Sequence, residues 1–114
     1  MKTYFVFFTL LITSSLAWSQ YVTTSLTKLS EPVSNNAVTG YSDGVNKYVY
    51  SFGGIDSTKS FSGIHNRCYK FDESQNTWQS LPDLPPSQTR IAAGASTINN
   101  TIYIIGGYHV FANG

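Results

Sequence analysis

Lys59, His65, Arg67 and His109 are the side chains best suited by type and position to hold a ligand. Each lies in or beside a stretch that follows a Gly-Gly pair: Ile55–Asn66 after Gly53-Gly54, and Tyr108–Gly114 after Gly106-Gly107. Two cations and two imidazoles offer hydrogen-bond donors to an anionic or hydroxyl-rich molecule. The alternative for these stretches is a solvated loop of Ser, Thr and Gly, with both histidines exposed in it. As metal ligands the histidines are too few: they stand 44 residues apart, and a metal site needs more ligands than they offer at any known spacing.

The other chemical candidates read as structural. Asp72 and Glu73 are adjacent at the end of an apolar run. Neighbouring strand residues point to opposite sides, so the two carboxylates cap a turn and do not form an acid–base pair. Cys68 is the only cysteine, which excludes an intramolecular disulfide. It reads as a small buried hydrophobe rather than a reactive thiol or an intermolecular bridge. The Gly-Gly pairs lack the following helix, Lys and Ser/Thr of a phosphate-cradling loop. No Ser/His/Asp set has a supporting motif. Asn99-Asn100-Thr101 matches a glycosylation acceptor, but it sits in a tight hairpin. The expectation is no catalytic residue, no metal ligand and no cofactor, and the chain alone does not read as an enzyme.

Composition describes the elements that must position these residues. Only 11% of the 114 residues are charged, against about 25% in a typical soluble domain, while 41% are hydrophobic and 15% aromatic, with nine glycines. The formal charge of +1 provides no basic field for nucleic acid. Few charges with many aromatics and glycines exclude a disordered chain and a coiled coil, and favour a turn-rich all-β fold.

The first residues stand apart. Met1-Lys2 carries a positive charge, Tyr4–Ile12 is a short apolar run, and Ser14–Ser19 turns small and polar. This is the pattern of a secretory signal peptide cut between Ser19 and Gln20. Thr13, Ser14 and Ser15 interrupt the run too early for a membrane span. The expectation is an exported protein, periplasmic or extracellular, with no stable membrane anchor after cleavage. Removing Lys2 with this segment leaves six basic against six acidic side chains.

The remainder repeats. Tyr48-Val49-Tyr50-Ser51-Phe52-Gly53-Gly54 recurs 53 residues on as Thr101-Ile102-Tyr103-Ile104-Ile105-Gly106-Gly107. Leu26–Leu29 matches Leu81–Leu84 at an offset of 55, which also brings Ala37 onto Ala92 and Asn35 or Asn36 near Arg90. Asp43-Gly44 and Asn99-Asn100 are hairpin-turn dipeptides, where a repeat tolerates a change of length. Strands are expected over Tyr21–Leu26 (weakly), Asn36–Tyr41, Lys47–Phe52, Arg67–Asp72, Thr77–Leu81, Arg90–Thr97 and Thr101–Ile105. Pro82, Pro85 and Pro86 end the fourth strand of a unit and form a stiff link. Lys47–Phe52 and Thr101–Ile105 are apolar on both faces, as expected of sheets stacked face to face.

Four-stranded units stacked at this period are propeller blades. The ordered set Gly53-Gly54, Tyr69, Trp78, Leu81-Pro82-Asp83-Leu84-Pro85, Arg90 and Gly106-Gly107 resembles a kelch repeat over about residues 36–107. The resemblance implies a partial kelch-type β-propeller: about one and a half four-stranded antiparallel blades, not a closed ring. Its positions have physical readings. The diglycines allow close backbone approach, Tyr69 and Trp78 fill space between blades, and Arg90 offers a planar five-donor head to backbone carbonyls.

The expected organisation is a signal peptide over 1–19, an outer strand and link over 20–35, a first blade over 36–81, and a link with half a second blade over 82–114. Closure would need at least about 200 residues at roughly 50 per blade, so the partners expected first are the remaining blades of a longer propeller. Functionally the resemblance implies a binding or interaction module, its ligand a protein or a carbohydrate, with no nucleic acid. The alternatives are the N-terminal piece of an exported sugar-handling kelch enzyme of the N-acetylneuraminate epimerase kind, or a non-functional gene fragment.

Overall fold

The computed structural model describes residues 23–112. The segment 1–19, expected to be a signal peptide, lies outside the described residues. The structure is all-β, with six antiparallel strands: β1 Ala37–Ser42, β2 Lys47–Ile55, β3 Ile64–Asp72, β4 Thr77–Leu81, β5 Ile91–Ile98 and β6 Thr101–Tyr108. Strands β1 to β4 form one sheet in sequence order, and β5 and β6 pair in a second. Neither sheet closes on itself. Single 3₁₀ turns at Phe61–Gly63 and Pro86–Gln88 interrupt the connections. Of the weak strand expected over 21–26, the described part Thr23–Leu26 is irregular. It pairs with nothing because its alternation is short and its polar side chains are exposed.

The turns follow from local chemistry. Asp43 Oδ1 accepts the backbone N–H of Val45 at 2.9 Å and of Asn46 at 2.7 Å, while Gly44 takes φ 92°. Asn99 and Asn100, at φ 48° and 62°, make a two-residue turn with both central residues left-handed, the geometry that matches strand twist. Asp72 Oδ1 accepts the Ser74 N–H and hydroxyl and the Gln75 N–H, so this carboxylate does cap its turn. Those three bonds favour the ionised form, and the Asp72 carboxyl titrates below the usual range.

The two units share a register that differs from the sequence offset. Ala37 lies opposite Phe52, and Gly94 lies opposite Ile105, the residue 53 positions after Phe52. The inner strands are therefore related by 57 residues and not 55. The first hairpin is one residue pair longer, and its turn two residues longer, than the second. The difference of two leaves every side chain on its expected face. It makes Ala92 the counterpart of Asn35, and Val33 that of Arg90. The antiparallel bridge Ser34–Ile55 likewise matches the pair Ile91–Tyr108.

The diglycines are close-approach positions, as the sequence implied. A Cβ on Gly54 would lie 2.8 Å from the Ser34 carbonyl oxygen, and one on Gly107 2.8 Å from that of Ile91. Gly53 faces the second unit, where its Cβ would sit 3.2 Å from the Arg90 carbonyl oxygen. Strand β5 lies along β1, with Thr97 Oγ1 donating to the Gly40 carbonyl at 3.0 Å. The Arg90 side chain makes no hydrogen bond among the described residues, and its backbone carbonyl is what reaches the first diglycine.

The opposite face of the first sheet carries Phe71, 2% exposed, with Trp78 tilted against it at 5.2 Å between ring centroids. The segment Thr27–Ser34 crosses this face as a strap. Trp78 Nε1 donates to the Thr27 carbonyl at 2.9 Å, the Thr27 N–H donates to Asn76 Oδ1 at 2.9 Å, and the Tyr69 hydroxyl donates to Glu31. Tyr69 and Trp78 thus meet a strap and not a second blade. Cys68 is buried with its thiol directed at the Asn66 carbonyl, and burial raises its pKa. Strand β2 is largely covered, whereas β6 is exposed along most of its length, contrary to the expectation of burial on both faces.

Candidate functional site

Three connections converge at the diglycine ends of the sheets: the β2–β3 connection, the link after β4, and the residues after β6. They enclose a cavity of about 330 Å³ lined by Phe61, Ser62, Ile64, Pro86, Thr89, His109 and Val110. Each wall has a local cause. The 3₁₀ turn Phe61–Gly63 is held by the Gly63 N–H to the Ser60 carbonyl at 3.0 Å. A Cβ on Gly63 would collide with Asp56 and Thr58, so the turn closes on a glycine. The proline link is fixed at Asn66, whose backbone carbonyl accepts the Leu84 N–H at 2.9 Å and whose Nδ2 donates to the Leu84 carbonyl at 2.6 Å.

His109 anchors the third wall. Its Nδ1 lies 3.0 Å from the Thr89 carbonyl oxygen, and its ring meets Phe111 edge-on at 5.0 Å. A carbonyl only accepts, so Nδ1 carries the proton of this bond, and in the neutral ring Nε2 keeps a lone pair. Between apolar walls the cavity therefore offers the lone pairs of Thr89 Oγ1, whose proton goes to the Pro86 carbonyl at 2.9 Å, the Ser62 hydroxyl, which is paired with Ser60 Oγ at 3.0 Å, and the outer nitrogen of one imidazole.

The other three residues singled out by type lie elsewhere. Lys59, at φ 56°, donates through Nζ to Ser34 Oγ at 2.9 Å and lines a separate hollow of about 180 Å³ with Pro32, Val33 and Ile55. His65 belongs to β3, opposite Gly54, and is not in a solvated loop. Both of its ring nitrogens are buried without a partner. Burial and the nearby Arg67 lower its pKa, against the opposing pull of Glu31, Asp56 and Asp83. Arg67 Nε stands 2.8 Å from Glu31 Oε1, but its N–H is not aimed along that line, so the contact is ionic and not a hydrogen bond. Glu31 thus serves both Arg67 and Tyr69. Burial and the bond to Glu31 push the Tyr69 phenol up to about 12.

Of the four candidates chosen by type only His109 lines this cavity, and Phe61, Ser62, Ile64, Pro86, Thr89 and Val110 were not singled out. Nor was Glu31. No group of three or more His, Cys, Asp or Glu among the described residues is arranged to hold a metal ion.

Residues 44–85, from the first turn through β4 into the proline link, match the family described as Kelch motif. That match spans 42 of the 114 residues, and over it the chain is similar to a kelch repeat. With its unclosed antiparallel sheets, it has the fold of a partial kelch-type propeller. Over 73 residues it is 34% identical to the N-acetylneuraminate epimerase of Pasteurella multocida (strain Pm70). That stretch covers 62% of this chain and 19% of the relative's length. In the kelch repeat, Gly53, Gly54, Tyr69 and Trp78 are scaffold: two close approaches and two aromatic anchors under the strap.

Proposed function

We propose that this chain is part of an exported kelch-type binding module whose ligand face is the cavity at the diglycine ends. The convergence of the β2–β3 connection, the proline link and His109 around one hollow carries this reading. Its volume falls at the small end of ligand pockets, about 300–1,000 Å³, and its lining sets Ser62, Thr89 and His109 among the apolar Phe61, Ile64, Pro86 and Val110. Phe61 offers an apolar platform, and Ser62, Thr89 and His109 Nε2 offer hydroxyl-type recognition. A carbohydrate, with apolar C–H faces and hydroxyl edges, suits this lining. Lys59 and Arg67 engage their own neighbours, His65 is held within β3, and none of the three lines the cavity.

The likeness to an N-acetylneuraminate epimerase favours a second reading, that the chain contributes to a sugar-handling enzyme. Titrating N-acetylneuraminate into the protein tests both. Binding that Phe61→Ala and His109→Ala each weaken about tenfold, the loss of one good contact, supports the cavity as the site. Affinity unchanged in both variants removes it. Interconversion of the sugar's anomers by the protein distinguishes the enzyme from the module. Export is tested by mass spectrometry of secreted material, which is expected to start at Gln20.

A further inference from the structure

Every polar side chain lining the cavity at the diglycine ends has its proton already committed elsewhere. Ser62 is the least obvious case. Asp56, Thr58, Ser60 and Ser62 stand at every second position of the β2–β3 connection. Asp56 Oδ1 accepts the Thr58 hydroxyl at 2.6 Å and the Thr58 N–H at 2.9 Å. These bonds hold the Asp56 carboxyl below its usual range, so it is ionised and only accepts.

A hydroxyl has one proton to give. Thr58 spends its own on Asp56, so the 2.9 Å contact between Thr58 Oγ1 and Ser60 Oγ is donated by Ser60. Ser60 then has none left, so its 3.0 Å contact with Ser62 Oγ is donated by Ser62. Thr58 Oγ1 also accepts the Ser60 N–H at 3.3 Å, in keeping with that direction. The relay runs one way, from Ser62 on the cavity wall to Asp56, which is not among the lining residues.

Thr89 and His109 end in the same state. Thr89 Oγ1 donates to the Pro86 carbonyl at 2.9 Å. His109 Nδ1 donates to the Thr89 carbonyl at 3.0 Å, which leaves a lone pair on Nε2 of the neutral ring. The other lining side chains are apolar, and no Lys or Arg is among them.

We propose that this cavity selects hydrogen-bond donors: its side chains present acceptors only, so it takes the O–H or N–H edge of a neutral saccharide and keeps a carboxylate out. This rests on the reading of the cavity as the ligand face. A sugar hydroxyl or acylamino group has a proton for Ser62, Thr89 or His109 Nε2. A carboxylate in the same place would leave water and face three sets of lone pairs, and an ionised group without a donor is costly to desolvate. Asp56, Thr58 and Ser60 are positioning residues, which fix the direction of the Ser62 proton without lining the cavity.

The test is titration of matched neutral and acid sugars: glucose against glucuronate, galactose against galacturonate, and N-acetylneuraminate methyl ester against the free acid. It is run at about pH 8, where free imidazole is uncharged. The readout is the histidine ring resonance that His109→Gln lacks, which reports on this cavity. The neutral member of at least one pair is expected to move it with an affinity about tenfold or more above that of its acid. Ser60→Ala frees the Ser62 proton to turn inward. The acid is then expected to gain about fivefold while the neutral sugar holds its affinity; a purely structural defect would weaken both alike. Thr89→Val is expected to weaken the neutral sugar about fivefold, the loss of one hydrogen bond, and Thr89→Ser to restore it. An acid that binds at His109 as tightly as its neutral partner overturns donor selection and leaves the cavity standing as a ligand site. A neutral-to-acid ratio that Ser60→Ala leaves unchanged overturns the relay. If no sugar moves the resonance, the cavity is not the ligand face and donor selection falls with it.

Discussion

The backbone N–H of Ala92 donates to the carbonyl of Asn35 at 2.9 Å, and the two residues occupy the same place in successive units. Both are left-handed, at φ 57° and 55°. Each lies opposite the second glycine of its own diglycine, Gly107 or Gly54. The pair ties the start of one inner strand to the start of the next, so the repeat is stitched at the position where its backbones crowd. Asparagine enters the left-handed region readily, but alanine does so at a cost.

Ala92→Gly is therefore expected to stabilise the protein. Relieving a left-handed alanine returns roughly 1–2 kcal/mol, and the added freedom of glycine in the unfolded chain takes back about 0.4–1 kcal/mol. The net gain is about 0.5–1 kcal/mol. Ala92→Val moves the other way. Denaturant midpoints for the three proteins check the order; a glycine variant less stable than the parent would mean that φ at this position is not strained.

The two glycines of the second diglycine should respond differently. Gly107→Ala places a methyl 2.8 Å from the Ile91 carbonyl and 2.9 Å from Ala93 Cβ, both on the paired strand. Gly106→Ala meets open space and pays only for its φ of 73°. We expect a loss of about 1 kcal/mol for Gly106→Ala and clearly more for Gly107→Ala, where packing strain adds. Equal losses, measured by chemical unfolding, would contradict the close approach.

The strands were legible because their signals are local. Tyr48–Phe52 and Thr101–Ile105 are apolar runs ended by Gly-Gly, and Asp43-Gly44 and Asn99-Asn100 are turn dipeptides. The register of β5 was not legible. Ala37 and Ala92 match in type at an offset of 55, but hairpin length is set by pairing and puts Gly94 opposite Ile105. His65 read as a loop residue because Asn66 and Arg67 follow it and no apolar side chain flags a strand on that side. Its place is set by pairing opposite Gly54 in β2, which the residues around it do not announce. Nothing in the type of Glu31, one residue before a proline, marks it as the partner of both Arg67 and Tyr69. For the cavity, the stretches after the two diglycines were marked in the sequence, and only packing decided that Phe61 and Thr89 line it.

The Glu31–Tyr69 contact predicts an alkaline limit. Tyr69 titrates at about 12 in the folded protein, above the ordinary value of 10.0. A folded-state pKa raised in this way means stability that is whole below pH 10 and is lost as pH rises toward 12. Unfolding midpoints measured across that window should fall for the parent. They should fall less for Tyr69→Phe, which has no proton to lose. Identical slopes would show that Tyr69 does not couple to folding.

Trp78 tests the strap from the other end. Its ring is half-buried, between Phe71 on one side and the strap that receives its Nε1 hydrogen bond at Thr27. Complete burial of so large a side chain would make truncation cost about 3–5 kcal/mol. Partial burial lowers that, and the aromatic pair and the hydrogen bond supply about 0.5–1.5 kcal/mol each. Trp78→Ala is therefore expected to cost about 2–3 kcal/mol. Trp78→Phe keeps the contact with Phe71 and loses the bond to Thr27, so it should cost about 1 kcal/mol. The strap supplies a second reading of the same variants. With its Trp78 anchor gone, amide exchange at Glu31 should quicken in both proteins, while the β2–β3 ladder beneath Phe71 slows exchange as before in Trp78→Phe. If Trp78→Ala leaves both stability and strap exchange unchanged, the ring is a surface side chain and the strap is held by its other ties, at Thr27, Glu31 and Ser34.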